Sequence, residues 1–200
     1  MVNKPNTKSN SNSSSKSRDP KSSDSGQGEQ NSKKSFKRVS EYGRQLQEKQ
    51  KVKQMYGMRE KQFKRFFKEA TDMEGVPGEN LLILLERRLD SVVYRLKMAI
   101  SCSQARQMIV HGHVLVNGVR VTKPSYIVSI GDVVGLHATV ANKTEFLATV
   151  VDKRMNIAIK VPAWLELVKQ SRTGNVLRYP TRNDIQFPVE EHLIVALYSK

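Results

Sequence analysis

The chain holds one cysteine, Cys102, few aromatic residues (6%) and no long uninterrupted apolar run. A single cysteine rules out an intrachain disulfide and a Cys-rich zinc site, and fits a reducing compartment. Without a stretch of about 20 apolar residues there is no candidate for a bilayer-spanning helix. Acidic residues are also scarce: 19 Asp and Glu face 34 Lys and Arg, a formal net charge of +15 over 200 residues. That excess is larger than solubility needs and points to a polyanionic partner, whose binding would weaken steeply with salt as condensed counterions are released. An anionic membrane surface competes as partner, but the amphipathic segments carry enough apolar surface to need a protein core. The N-terminus lacks the apolar run of a secretory signal. It is Ser- and Lys-rich like a transit peptide, yet Asp19, Asp24 and Glu29 and the absence of an amphipathic Arg pattern speak against one. A cytoplasmic location is expected, with an organelle the alternative.

From Met1 to about Lys34 the chain is Ser, Asn, Lys, Gly and Pro, with Val2 its only large apolar residue after the initiator. Such a segment cannot bury enough surface to offset its ordering entropy and reads as disordered. A basic arm lying on RNA and a solubilising tail are both open for it. Order is expected from near Phe36, with a short helix between Ser40 and Tyr56 carrying Tyr42, Leu46 and Met55. Beyond Gly57, Phe63, Phe66, Phe67 and Ala70 follow the i, i+3, i+4, i+7 spacing of one helix face, and Lys61, Lys64, Arg65 and Lys68 fall on another. Core packing accounts for the aromatic stripe better than base stacking, because readers of single-stranded RNA usually present aromatics from sheets. Phosphate contact accounts for the basic stripe better than solvation, since Glu60 and Glu69 do not balance it.

Gly75, Pro77 and Gly78 interrupt the chain before a third run, read as one helix with Leu81, Leu85, Leu89, Val92 and Leu96 on its apolar stripe. On that helix Arg88 and Arg95 share a face beside Arg87, and phosphate binding is preferred to snorkelling at a core edge. Accordingly Arg88→Glu is expected to weaken RNA binding and leave the fold intact. Ser101 and Gln104 form a capping box that starts a helix at Cys102, with Gln104 reaching back to the cap amide and Gly112 ending the helix left-handed. Val114–Val116 and Val119–Val121 flank Asn117-Gly118, the pair that a type I′ hairpin turn requires. Alternation through Tyr126, Val128 and Ile130, then Val133–Leu136, predicts further strands, so that a small α+β module ends near His137. Beyond it lie an alternating stretch around Ile157–Ile159, the segment Pro162–Leu165, and an apolar run from Leu193 to Tyr198 read as a strand. No repeat of 20–50 residues is visible.

A search for convergent catalytic groups finds none. His111 and His113 are one residue apart and would not share a helix face, so no metal site is expected. Cys102 opens a helix whose dipole could activate it, but no base or resolving thiol is identified, and packing is the better reading. Gly75 to Gly78 lacks the lysine and preceding strand of a phosphate loop. Glu190 and Glu191, at an expected strand edge, would point to opposite faces. No enzymatic activity, cofactor or small-molecule substrate is expected.

The segments SEYGRQLQEKQKVKQMYGMREKQFKRFFKEA, GENLLILLERRLDSVVYRL, QARQMIVHGHVLVNGVRV, PSY, PAWLE and EEHLIVALYSK occur in that order from Ser40 to Lys200. In order and spacing they resemble the bacterial-type small-subunit ribosomal protein four family. The smaller module alone also recurs in transfer-RNA synthetases, pseudouridine synthases and a heat-shock RNA binder. The resemblance implies a helical lobe plus a small helix-turn-helix and β-hairpin RNA-binding module, so that, with the disordered N-terminal tail read from composition, the expected fold class is α+β. The divisions expected are the low-complexity basic tail over 1–35 and, as the resemblance implies, a helical lobe over 36–89 completed by 141–200 with the RNA-binding module over 90–140. It implies a structural constituent of the small ribosomal subunit that binds the 5′ domain of small-subunit ribosomal RNA and nucleates assembly. Contact with ribosomal protein five, with an influence on translational accuracy, is also implied. Carried over by position, the RNA-facing residues are Tyr42, Gln45, Lys49, Lys51, Arg59, Lys61, Arg65, Arg87, Arg88, Arg95, Arg106, His111, His113 and Lys123. The chain departs from the family in its cysteine-free low-complexity N-terminus and in having Ser101-Cys102 where Thr-Arg is usual. A modifying enzyme with the same module would need a further catalytic domain of roughly 150 residues, for which there is no room. A non-ribosomal RNA-binding regulator is the other alternative.

Overall fold

A computed structural model describes residues 40–141, 147–155, 160–185 and 187–199. The expected disorder over 1–35 and the alternating stretch at Ile157–Ile159 lie outside the described residues. Helix α1, Glu41–Met55, starts where the Ser40 hydroxyl accepts from the Gly43 amide at 3.2 Å, and it stops before Gly57 at φ +55°. Helix α2, Glu60–Asp72, buries Phe63, Phe66 and Ala70 and leaves Lys61, Lys64, Arg65 and Lys68 exposed, as the two stripes predict. Pro77 opens α3, Pro77–Glu86, at a position whose missing amide hydrogen costs nothing.

The third run is two helices, not one. The chain breaks at Arg88, which is extended (φ −64°, ψ 139°), and α4 then runs from Leu89 to Arg95. The apolar stripe continues through the break, so periodicity could not show it. The opened backbone is satisfied by the segment from Pro124 to Val128: Leu89 donates to the Tyr126 carbonyl (2.8 Å), Asp90 to that of Pro124 (3.2 Å), and Val128 to that of Arg87 (2.9 Å). The same contacts correct the strand expected through Tyr126, Val128 and Ile130, whose sole β-bridge joins Ile127 to Arg88. Arg88 and Arg95 therefore do not share one helix face.

Helix α5, Cys102–Val110, is capped by Ser101, whose hydroxyl accepts from the Gln104 amide at 3.2 Å; the Gln104 side chain accepts from Ile100 rather than from the cap amide. Gly112 (φ +70°) ends this helix as predicted. The hairpin forms where expected, β1 (Val114–Val116) with β2 (Val119–Arg120), and its turn has Asn117 at φ +51° and Gly118 at φ +78°. Strand β3, Val133–Leu136, pairs antiparallel with β1, and a short helix α6, Ala138–Ala141, follows it. Strands β4 (Leu165–Val168) and β5 (Thr173–Val176) complete an antiparallel sheet in the order β2-β1-β3-β5-β4. The apolar run ending at Tyr198 is helix α7, Glu191–Tyr198, which corrects the strand reading. A short apolar run does not distinguish the two, and packing against α1 and α3 decides for helix.

Two apolar clusters hold the chain together. One gathers Leu89, Val92, Leu96, Ala105, Ile109, Val114 and Val134 with Trp164 just before β4, Leu165 of β4 and Val176 of β5. The other gathers Val52, Tyr56, Phe63, Phe66, Leu81 and Leu85 with Ile185, Val189 and Ile194. Each fully buried Val, Leu, Ile or Phe side chain contributes about 1.5–3 kcal/mol on leaving water.

Candidate nucleic-acid interface

The two clusters meet along a band of buried polar groups. Its centre is Asp90, which is 1% exposed and whose carboxylate binds two guanidiniums. Arg88 donates through Nε (3.0 Å) and Nη2 (2.7 Å), and Arg106 through Nε (3.2 Å) and Nη2 (2.7 Å). Arg106 also donates from Nη1 to the Gly57 carbonyl (2.6 Å) and from Nη2 to that of Tyr56 (3.0 Å), tying α5 to the α1–α2 corner. Glu86 is a second buried anchor, held by Arg95 Nη2 and Nε (2.6 and 3.0 Å) and by the Tyr56 hydroxyl (2.7 Å). Burial opposes the charge on Arg95, yet Glu86 outweighs it and holds the guanidinium protonated above its usual range. Burial and the Glu86 carboxylate push the Tyr56 hydroxyl well up, so it stays a donor.

Against this frame the residues nominated from sequence separate into two groups. Tyr42, Arg59, Lys61, Arg65, His111 and Lys123 are exposed. Arg59, Lys61, Arg65 and Lys123 have no carboxylate partner among the described residues. His111 and His113 stack at 5.9 Å beyond the end of α5. Arg87 is half-buried, donating to the Val128 carbonyl (3.2 Å) and lying over the Tyr179 ring at 4.0 Å. Lys51 is spent on the Pro188 carbonyl at 2.6 Å. Gln45, Lys49 and Arg88 are buried, at 1%, 9% and 1% exposure. Lys49 Nζ reaches Glu60 at 2.6 Å, and this bond, with the Lys53 contact at 3.0 Å, lowers the Glu60 carboxyl to about 2. Because Arg88 is enclosed and paired, the expectation that Arg88→Glu spares the fold is corrected: a carboxylate there would face Asp90 in a dry site.

The organising role of Asp90 was missed from sequence. Its signal was present, an isolated carboxylate inside the cationic and apolar run RRLDSVVYR. Tyr179, under Arg87, left no such signal. Among the described residues no group of three or more His, Cys, Asp or Glu could hold a metal ion. Burial pushes the Cys102 thiol up, opposite to what nucleophilic activation needs. No described helix is long and apolar enough to cross a membrane.

Comparison with known proteins matches both halves of this frame. The family model described as ribosomal protein S4/S9 N-terminal domain matches residues 2–86, and that described as S4 domain matches residues 87–134. The small ribosomal subunit protein uS4 of Halothermothrix orenii is 51% identical over 160 residues, covering 80% of this chain and 76% of that protein. The protein of the same name from Caldicellulosiruptor bescii is 51% identical over 165 residues, and that from Desulfotalea psychrophila 51% over 166. Each of these alignments covers 82% of this chain and 77% of the relative.

Proposed function

The chain belongs to the uS4 family of small ribosomal subunit proteins, and from that premise we propose that it nucleates small-subunit assembly by clasping a helix junction in the 5′ domain of small-subunit ribosomal RNA. Its role in the ribosome is structural and RNA-binding, not enzymatic. The observation that carries the finer reading is the exposed cation field of α2, held beside two guanidiniums that Asp90 fixes in place. Cations fixed before binding lose little rotamer entropy on contact, so such a surface recognises one arrangement of phosphates rather than any polyanion.

In this reading Tyr42, Arg59, Lys61, Arg65, His111 and Lys123 touch RNA directly, with Arg87, Arg106 and His113 at the edge of the contact. Gln45, Lys49, Lys51, Arg88 and Arg95 support them from beneath. The helical lobe and the 90–140 module then grip the RNA as two bodies. Contact with ribosomal protein five, an influence on decoding accuracy, and residence in cytoplasmic ribosomes belong to the same proposal. The test is binding of the purified chain to the 5′ domain RNA, at several salt concentrations, against an equal mass of unrelated folded RNA. Selective binding that survives moderate salt is expected, with the slope of log K against log salt steepening by about 0.7–0.9 for each phosphate neutralised. Equal binding to both RNAs would refute the assembly role and leave a generic basic RNA binder.

A further inference from the structure

Between the first turn of α2, the Arg106 side chain and the loop at Pro124-Ser125 lies an open hollow of 590 Å³, lined by Gly57, Arg59, Lys61, Gln62 and Arg65 with Arg88 and Arg106. Two features of it lack a hydrogen-bond partner, and its lining is cationic. The N-terminus of α2 has no side-chain cap: Phe63 is its first amide with a backbone acceptor (Arg59, 3.0 Å), and none is found for Glu60, Lys61 or Gln62 among the described residues. Arg88, 1% exposed, spends Nε and Nη2 on Asp90 while its third nitrogen, Nη1, has no hydrogen-bond partner among the described residues. Five cationic side chains line the hollow, and Asp90, held by two of them, is the one carboxylate paired with any of the five among the described residues.

We propose that this hollow is a seat for one backbone phosphate of the RNA, taken up by the free amides of the first turn of α2 and flanked by Arg65 and Arg106. It rests on the RNA-binding reading above and adds a single addressable position to it. A tetrahedral oxyanion suits the place because it accepts from several donors at once, and the positive end of α2 favours its charge. Arg106 is locked by Asp90, Tyr56 and Gly57, so the guanidinium needs no reordering when the phosphate arrives. Arg88 lies behind, over the Phe66 ring at 5.3 Å, and adds fixed positive charge beneath the seat.

Gln62→Glu places a carboxylate in the seat without disturbing a buried group, and Gln47→Glu on the exposed side of α1 is its charge-matched control. Backbone amide signals of residues 60–62 in the full chain, titrated with inorganic phosphate at constant ionic strength, are expected to shift saturably, and not to shift in Gln62→Glu. A flat or non-saturating response in the unmodified chain overturns the seat, whatever the RNA data show. With the 5′ domain RNA, Gln62→Glu is expected to bind about tenfold more weakly and to reduce the salt slope by about one, while Gln47→Glu changes neither. If the unmodified chain binds this RNA selectively and both variants match it, the RNA phosphate does not occupy the seat and only the family reading stands. If the unmodified chain shows no selectivity, the 5′-domain assembly reading fails, and a saturable phosphate shift then identifies a seat for some other phosphate, which overturns the RNA assignment.

Discussion

Replacing Asp90 by Asn tests the frame of the interface more directly than any surface substitution. The amide keeps the shape of the carboxylate but removes its charge. It also turns a donor group toward the three guanidinium contacts that Oδ2 now accepts: Arg88 Nη2 at 2.7 Å and Arg106 Nε and Nη2 at 3.2 and 2.7 Å. With 1% exposure, Arg88 cannot turn to water, and removing one partner of a buried pair costs about 3–5 kcal/mol. Arg106 keeps a third of its side chain in solvent and retains its two carbonyl acceptors, so its share is screened to about 1 kcal/mol or less. A total near 4 kcal/mol is a large part of the 5–15 kcal/mol of an ordinary domain, and the midpoint should drop by about 8–16 °C. Trp164, the single tryptophan, is 1% exposed in the cluster that Leu89 and Val92 share, and reports urea unfolding without a label. A loss below about 1 kcal/mol at an unchanged m-value would refute the claim that Asp90 is the hub.

Glu60→Gln removes a carboxyl held at about 2 chiefly by its Lys49 hydrogen bond. A depressed carboxyl stabilises the fold above its unfolded value of about 4.3, and that contribution disappears as pH falls toward 2. Half of the side chain is exposed, so the expected loss at pH 7 is about 1 kcal/mol or less, with the melting curves of the two proteins converging near pH 2. A gap that persists unchanged to pH 2 would show that the ion pair is not its source. Gly174→Ala places a methyl group in β5 against the Leu96 side chain, which is fully buried and has nowhere to move. A loss of about 1–3 kcal/mol in urea denaturation is expected, and a neutral result would mean that the β5 contact with α4 is looser than described.

The parts of the fold written in local chemistry were legible. Asn117-Gly118 dictates its own turn, Ser101 its own cap, and the 3–4 spacing of Phe63, Phe66 and Ala70 its own buried face. Long-range decisions were not. The break at Arg88 depends on carbonyls at Pro124 and Tyr126, more than thirty positions away, and the stripe of leucines runs across it undisturbed. The Leu193–Tyr198 run took its helical form from α1 and α3, which no window of that segment contains. At the candidate interface the exposed stripe of α2 was legible because charge on one face needs no partner to be recognised. Which arginines stand in solvent and which lie behind them was not, because Asp90 meets Arg106 only after sixteen intervening steps of chain have folded back.

The make-up of the helical cluster bears on how the chain is made. Phe63, Phe66, Leu81 and Leu85 close against Ile185, Val189 and Ile194, a hundred positions downstream of Leu85. Synthesis at about 5–20 residues per second puts roughly 5–20 s between the two halves of that core. During the interval the phenylalanines and leucines are covered only by the earlier part of their cluster, Val52 and Tyr56 among it, and the face that Ile185, Val189 and Ile194 will close stays open to water.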